Sequence, residues 1–284
     1  MRFIFGIGLI VCFSDWIDIC QFVPYPVMYT IISPFIVGCN PVFCPQPFWK
    51  WHTECRSIQK TMKSSVILKS FIGFSMVYLL IILFGSEEIA WFLKPFLMPL
   101  LILAVYVHER FITKKNLLTA LTLSWLGGLI MMFSDRGEIY FTAGLIVFLL
   151  SHIAYIILFS KQLKIYLKKS KIIFWIGVTA IAFYLIVMVL ILLPSLGNLK
   201  IPVFVYALTI SIMVLFALKG FLNWQKPASI YILVGALIFA ASNTLLAFDK
   251  FYAPLQNSSF LIMVTYLIAQ YLIVTGILKL NKKN

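Results

Sequence analysis

Residues 123–159 read LSWLGGLIMMFSDRGEIYFTAGLIVFLLSHIAYIILF. Two apolar runs are interrupted only by the short polar segment 134–138, SDRGE. Crossing about 30 Å of hydrocarbon at about 1.5 Å per residue takes roughly 20 apolar residues in a helix. The second run supplies about that many, and the first does so once it is followed back to residue 116. A five-residue connection makes the two helices antiparallel neighbours. The stretch therefore predicts a membrane helical hairpin.

The same pattern continues on both sides. Eight spans are expected, at roughly 66–85, 89–107, 116–133, 139–159, 172–193, 201–218, 228–248 and 258–278. Composition agrees: 62% of the 284 residues are hydrophobic, 11% are charged, and the mean hydropathy is +1.02. A soluble domain needs far more charge to cover its surface. The expected class is an all-α, polytopic membrane helix bundle with eight transmembrane helices.

The formal net charge is +14, and its distribution carries the meaning. Lys60 and Lys63 precede the first span. Arg110, Lys114 and Lys115 follow the second. Lys161, Lys164, Lys168, Lys169 and Lys171 follow the fourth, Lys219 and Lys226 the sixth, and Lys279, Lys282 and Lys283 the eighth. The alternate loops hold Arg136, Lys200 and Lys250 with five acidic residues, Glu87, Glu88, Asp135, Glu138 and Asp249. Basic residues mark cytoplasmic loops. Both ends of the 62–284 region are thus expected in the cytoplasm, and in a bacterium the membrane is the inner one. No basic and aromatic interleaving points to nucleic acid.

Residues 1–61 read differently. Residues 3–13 are apolar but short, and residues 20–39 are broken by Pro24, Pro26 and Pro34. Two readings stand: an atypical extension to a working protein that begins at Met62, or one extra Pro-kinked membrane segment. All five cysteines, Cys12, Cys20, Cys39, Cys44 and Cys55, fall here without a paired metal spacing,. Neither a metal nor another cofactor is expected.

Polar groups in hydrocarbon are costly and mark candidate sites. Lys94, Gly128 and Asn243 each lie about five residues from the acidic end of their spans, roughly 7–8 Å deep at helical rise. Ser124, His152, Tyr155, Tyr266 and Gln270 lie deeper. Ser124 and Gly128 share a helix face, as do Tyr266 and Gln270, and His152 and Tyr155. Together these faces are expected to line one polar cavity. Plainer roles also fit. Gly127 and Gly128 suit close helix approach, and Asn243 and Gln270 suit interhelical hydrogen bonding. His152 suits a neutral core histidine, and Lys94 an ammonium reaching outward. A faint echo between SWLGGLIMMF (residues 124–133) and AASNTLLAF (residues 240–248) suggests a repeat,.

Residues 123–159 resemble the central signature of the lysoplasmalogenase (YhhN-like) family. So do GALIFAASNTLLAFDKF (residues 235–251), the later TYLIAQYLIVTG (residues 265–276) and the Lys94–Pro95 pair. The likeness covers about residues 62–280, and the family also has eight spans. It implies a membrane hydrolase that cleaves the vinyl ether bond of lysoplasmalogens to a fatty aldehyde and a glycerophospho-alcohol. It also implies a membrane lipid, such as a lysophospholipid, as partner. Opening an enol ether requires a general acid for the β-carbon and an oriented water for the resulting cation.

The chain departs from the family pattern where the acids belong. Gly128 stands where the family usually has Asp, and Asn243, after Ser242, stands at the second Asp position. Lys94, Ser124, His152, Tyr155, Ser242, Tyr266 and Gln270 are the expected substrate-binding set around these two catalytic positions. Two rival functions follow: a catalytically silent relative that binds a single-chain lipid, and a small-solute transporter. A serine hydrolase does not fit, since no GxSxG occurs,. No motif sets an oligomeric state.

Overall fold

The computed structural model describes residues 48–85, 87–163 and 171–282. Most of the first 61 residues, four of the five cysteines and Lys164, Lys168, Lys169 and Lys283 therefore lie outside the described residues. Residues 61–284 form one compact unit.

Among the described residues eight α-helices follow in order: α1 (Phe48–Leu83), α2 (Glu87–Val107), α3 (Lys114–Met131), α4 (Glu138–Leu163), α5 (Lys171–Leu192), α6 (Lys200–Asn223), α7 (Ala228–Phe251) and α8 (Ser258–Leu280). Every expected span is a helix. Among the described residues seven helices are long and apolar enough to cross a membrane. The exception is α3, whose 18 residues open with Lys114, Lys115 and Asn116. The chain is a multi-pass integral membrane protein. Several helices outrun the apolar stretch that predicts them, because helical backbone satisfies its own hydrogen bonds in water as in lipid. Thus α7 runs on to Phe251, and Asp249 sits in a helix rather than in the loop where the sequence put it.

Neighbour order follows the loops only in part. Helix α2 packs on α3, α3 on α4, α4 on α6, α6 on α7 and α7 on α8, and α8 returns to touch α2. The six make a closed ring. Helix α5 lies outside it against α6 and α7, with the Tyr184 hydroxyl bonded to Thr244. Helix α1 reaches α2 through Ser64 Oγ, which donates to Ala104 O at 2.9 Å. It reaches α8 through a stacked Phe71–Tyr271 pair.

Small residues set the closest approaches, as expected where lipid is as apolar as the side chains and packing must supply the attraction. A Cβ on Gly276 would lie 3.0 Å from Ala228 O, and one on Gly235 3.0 Å from Ile273 N. These two glycines let α7 and α8 meet backbone to backbone. Gly127 instead lets the Phe148 ring of α4 lie against the α3 backbone, since a Cβ there would lie 2.9 Å from that ring.

Helix α2 contains Pro95 and Pro99. Pro99 has no N–H, so the Pro95 carbonyl loses its partner within the helix. Trp125 Nε1 of α3 donates to that carbonyl at 2.8 Å. The tryptophan thereby ties the proline segment, and Lys94 with it, to α3.

Candidate functional site

A cavity of about 650 Å³ opens among α1, α2, α3, α7 and α8. It lies at the end of the bundle that carries Asp135 and the α7–α8 connection. Lys94, Ser124, Gly128, Ser242, Asn243 and Tyr266 all line it. Apolar walls come from Leu97, Met98, Leu246, Met263 and Leu267, and Trp91 and Trp125 add aromatic surface. Asp135, Asp249, Asn257, Ser258 and Ser259 line it nearer the helix ends.

Adjacent glycines behave differently here. Gly127 is the close-packing position described above. Gly128 has nothing within 4 Å of where a Cβ would stand, so position 128 faces open space. Asn243 reaches the same cavity from α7 and is 8% exposed.

Lys94 is half-buried. Its ammonium makes no hydrogen bond or ion pair within the described residues. Asp135 acts on it through space but lies beyond ion-pair distance. Asp249 accepts a 2.9 Å hydrogen bond from Leu255 N and so holds the α7–α8 connection.

Two hydrogen-bonded networks underlie the cavity floor. The first joins α3, α4 and α8. Ser151 Oγ donates to Ala120 O at 2.9 Å and lies 2.6 Å from Ser124 Oγ. Having given its proton away, Ser151 accepts from Ser124. Gln270 Nε2 donates to Ser124 Oγ at 3.1 Å, and Tyr155 donates to Gln270 Oε1 at 2.5 Å. Tyr266 leans on the Ser124 carbonyl at 3.4 Å. Such a network is worth most where no water competes.

The second network joins α4, α6 and α7, and its polarity can be worked out. Asn243 Nδ2 donates to Phe239 O at 2.7 Å, which leaves Oδ1 facing Tyr206. An amide oxygen only accepts, so Tyr206 donates to it. The Tyr206 oxygen then accepts from His152 Nε2 at 3.2 Å. His152 is accordingly the neutral Nε2–H tautomer. Its Nδ1 is buried without a partner.

The expected substrate-binding set divides. Lys94, Ser124, Ser242 and Tyr266 line the cavity with positions 128 and 243. His152, Tyr155 and Gln270 expose no surface and do not line it. Tyr155 faces Gln270 and His152 faces Tyr206, because an unpaired polar group in hydrocarbon costs more than a paired one. They support the floor from below. Ser242 is also engaged, donating to Ile262 O at 3.0 Å. Tyr206, Ser151 and Trp125 were missing from the expected set. Tyr206 carries the same signal as the others, a polar group inside an apolar span. No periodicity connected it to the α3 and α7 motifs.

Comparison with known proteins gives one finding. Residues 89–277 match the model of the YhhN family, which is the lysoplasmalogenase family of membrane proteins. No curated protein and no solved structure matches the chain. The matched region runs from the start of α2 to the end of α8 and contains every residue of the cavity except those contributed by α1. With two thirds of its length inside that match, the chain belongs to the YhhN family.

Proposed function

We propose that the chain is a lysoplasmalogenase-type protein whose cavity takes a single-chain ether lysophospholipid from the bilayer. One observation supports this above the others. Positions 128 and 243, far apart in sequence, open into one cavity that also holds the cation Lys94 and apolar walls. A pocket of this size, with apolar walls and convergent polar groups, suits a ligand with both a lipid chain and a polar head,. The basic ends of α2, α4, α6 and α8 support a cytoplasmic location for the opposite end of the bundle. The cavity then faces the outer leaflet.

The family reaction adds a proton to the β-carbon of the vinyl ether and water to the cation that results. The hemiacetal collapses to a fatty aldehyde and a glycerophospho-alcohol. Gly128 supplies no proton. Both polar atoms of the Asn243 side chain are engaged, one by Tyr206 and one by Phe239 O. His152 gives its only N–H to Tyr206. The carboxyl groups that line the cavity are Asp135 and Asp249. Asp249 is held by Leu255 N, which leaves Asp135 as the cavity carboxyl free to take part in acid–base steps of turnover.

A second reading has its own support. Gly128 and Asn243 stand at both family acid positions, which favours a relative that holds the lipid without cleaving it. Aldehyde release from a lysoplasmalogen by the purified chain tests the two together. Release that disappears in Asp135→Asn supports the hydrolase. Saturable binding with no release above background, beside an active family enzyme, supports the silent relative. Neither release nor binding removes both.

A further inference from the structure

We infer that the proline pair of α2 is a hinge with Trp125 as its latch, and that the helix beyond it, residues 88–96, is a movable wall through which the cavity exchanges its ligand with the bilayer. The route for a lipid rests on the lipid-cavity reading. The hinge itself does not.

A helix in hydrocarbon keeps its shape through its own hydrogen-bond ladder. Two rungs, one turn apart, are missing from α2. Pro95 gives no N–H to Trp91 O, and Pro99 gives none to Pro95 O,. A helix bends at such a place unless a neighbour supplies the missing donor. Trp125 supplies one of the two, from α3, at 2.8 Å.

Packing changes at the same place. Inside the prolines, toward the cytoplasmic end, Leu97, Met98, Leu101, Ala104 and Val105 are buried. Among residues 88–96 only Ala90 is buried. Ile89, Phe92 and Phe96 are 54%, 68% and 63% exposed. The inner half of α2 is anchored in the bundle, whereas the outer half lies mostly against lipid. Two ties hold that outer half to α3. One is the Trp125 bond, and the other is an edge-to-face contact of Trp91 with Phe133 at 5.9 Å. At its far end the segment meets α1 through Gly85, whose φ of 75° gives a second joint,. Ala90, Trp91 and Lys94 line the cavity, so an outward swing of this segment opens the cavity sideways to lipid. A latch that holds the wall equally with and without ligand sets the rate of exchange and leaves the affinity alone.

Trp125→Phe keeps a ring and removes the N–H. Hydrogen–deuterium exchange of the full chain in lipid nanodiscs, read by mass spectrometry, is expected to quicken about tenfold in peptides covering residues 88–98, the worth of one hydrogen bond. Peptides covering residues 100–107 are expected to be unchanged. Stopped-flow binding of a lysophosphatidylethanolamine with a fluorescent chain is expected to show association and dissociation both faster by about tenfold at one affinity. Unchanged exchange, or exchange that quickens through α2 and α3 alike, overturns the hinge. Local quickening with unchanged lipid rates, or with faster dissociation alone, overturns the route through this wall. If the natural chain binds no lipid, the lipid reading and the route fail together, and the exchange result alone decides the hinge. Pro99→Ala gives the Pro95 carbonyl a partner within the helix. It is expected to slow both local exchange and the lipid rates, and if Trp125→Phe does not fold, no slowing in Pro99→Ala overturns the hinge.

Discussion

Tyr206 donates its hydroxyl proton to Asn243 Oδ1, and this one bond sets the direction of the network behind it. Because Asn243 Nδ2 is committed to Phe239 O, the amide cannot turn. Tyr206 must give, and His152 must give to Tyr206. The chain of donors ends at an asparagine, which passes no proton on to the cavity.

Histidine-selective 15N NMR of the solubilised protein is expected to show His152 as the neutral Nε2–H tautomer. Tyr206→Phe removes the link. The loss is expected to cost about 1–3 kcal/mol, since it leaves a buried donor and a buried acceptor unpaired. Thermal unfolding in detergent measures the cost, and an Nδ1–H tautomer of His152 in the natural chain would contradict the assigned polarity.

Adjacent glycines in α3 give a second prediction. Gly127→Ala pushes a methyl against the Phe148 ring and is expected to destabilise by about 1–3 kcal/mol through overpacking. Gly128→Ala meets nothing within 4 Å. It is expected to be neutral or to stabilise by up to about 1 kcal/mol through helix propensity. Similar melting temperatures for the two variants would contradict the assigned faces.

This pair also shows what could be read before the fold was known. The sequence marks Gly127–Gly128 as a packing motif or a cavity position, and each residue turns out to be one of them. Which is which depends on where α4 lies, and α3 alone does not say. Lys94, Gly128 and Asn243 were legible as one group because their depths follow from span ends alone. His152, Tyr155 and Gln270 were placed too near the cavity, because depth and helical face do not reveal which neighbour a side chain meets. Tyr155 meets Gln270, and His152 meets a tyrosine on α6. That contact depends on α4 packing against α6 rather than against its chain neighbour α5.

Restoring the family acids tests whether the scaffold is still a hydrolase frame. Gly128→Asp has open space to occupy, and Asn243→Asp keeps the acceptor that Tyr206 addresses while its second oxygen, facing Phe239 O, favours the protonated acid that donates there. The double variant is expected to release aldehyde from a lysoplasmalogen at least tenfold faster than the natural chain. No gain in a variant that still folds and binds lipid would mean the two positions do not converge on the ether bond.

At the other end of the bundle, His108 follows α2 and is 8% exposed, with Nδ1 unpartnered. Burial holds its pKa below the usual imidazole range. Glu109 opposes that shift and Lys114 adds to it. A depressed folded value means the unfolded chain binds more protons once the pH falls below about 6.5. Stability is therefore fully present above that pH and declines as the pH drops toward the folded value. Melting temperature is expected to fall between pH 7 and pH 5. The slope should be shallower in His108→Gln, and equal slopes would contradict the assignment.

Photolabelling is the most direct test of the cavity itself. A lysophospholipid carrying a photoreactive group at the first carbons of its chain is crosslinked to the purified protein, and the labelled peptides are sequenced. Label on α3 around Gly128 and on α7 around Asn243, competed by unlabelled lysophospholipid, is the predicted result. Label confined to the lipid-facing surfaces of α5 and α6, or unaffected by competitor, would contradict it.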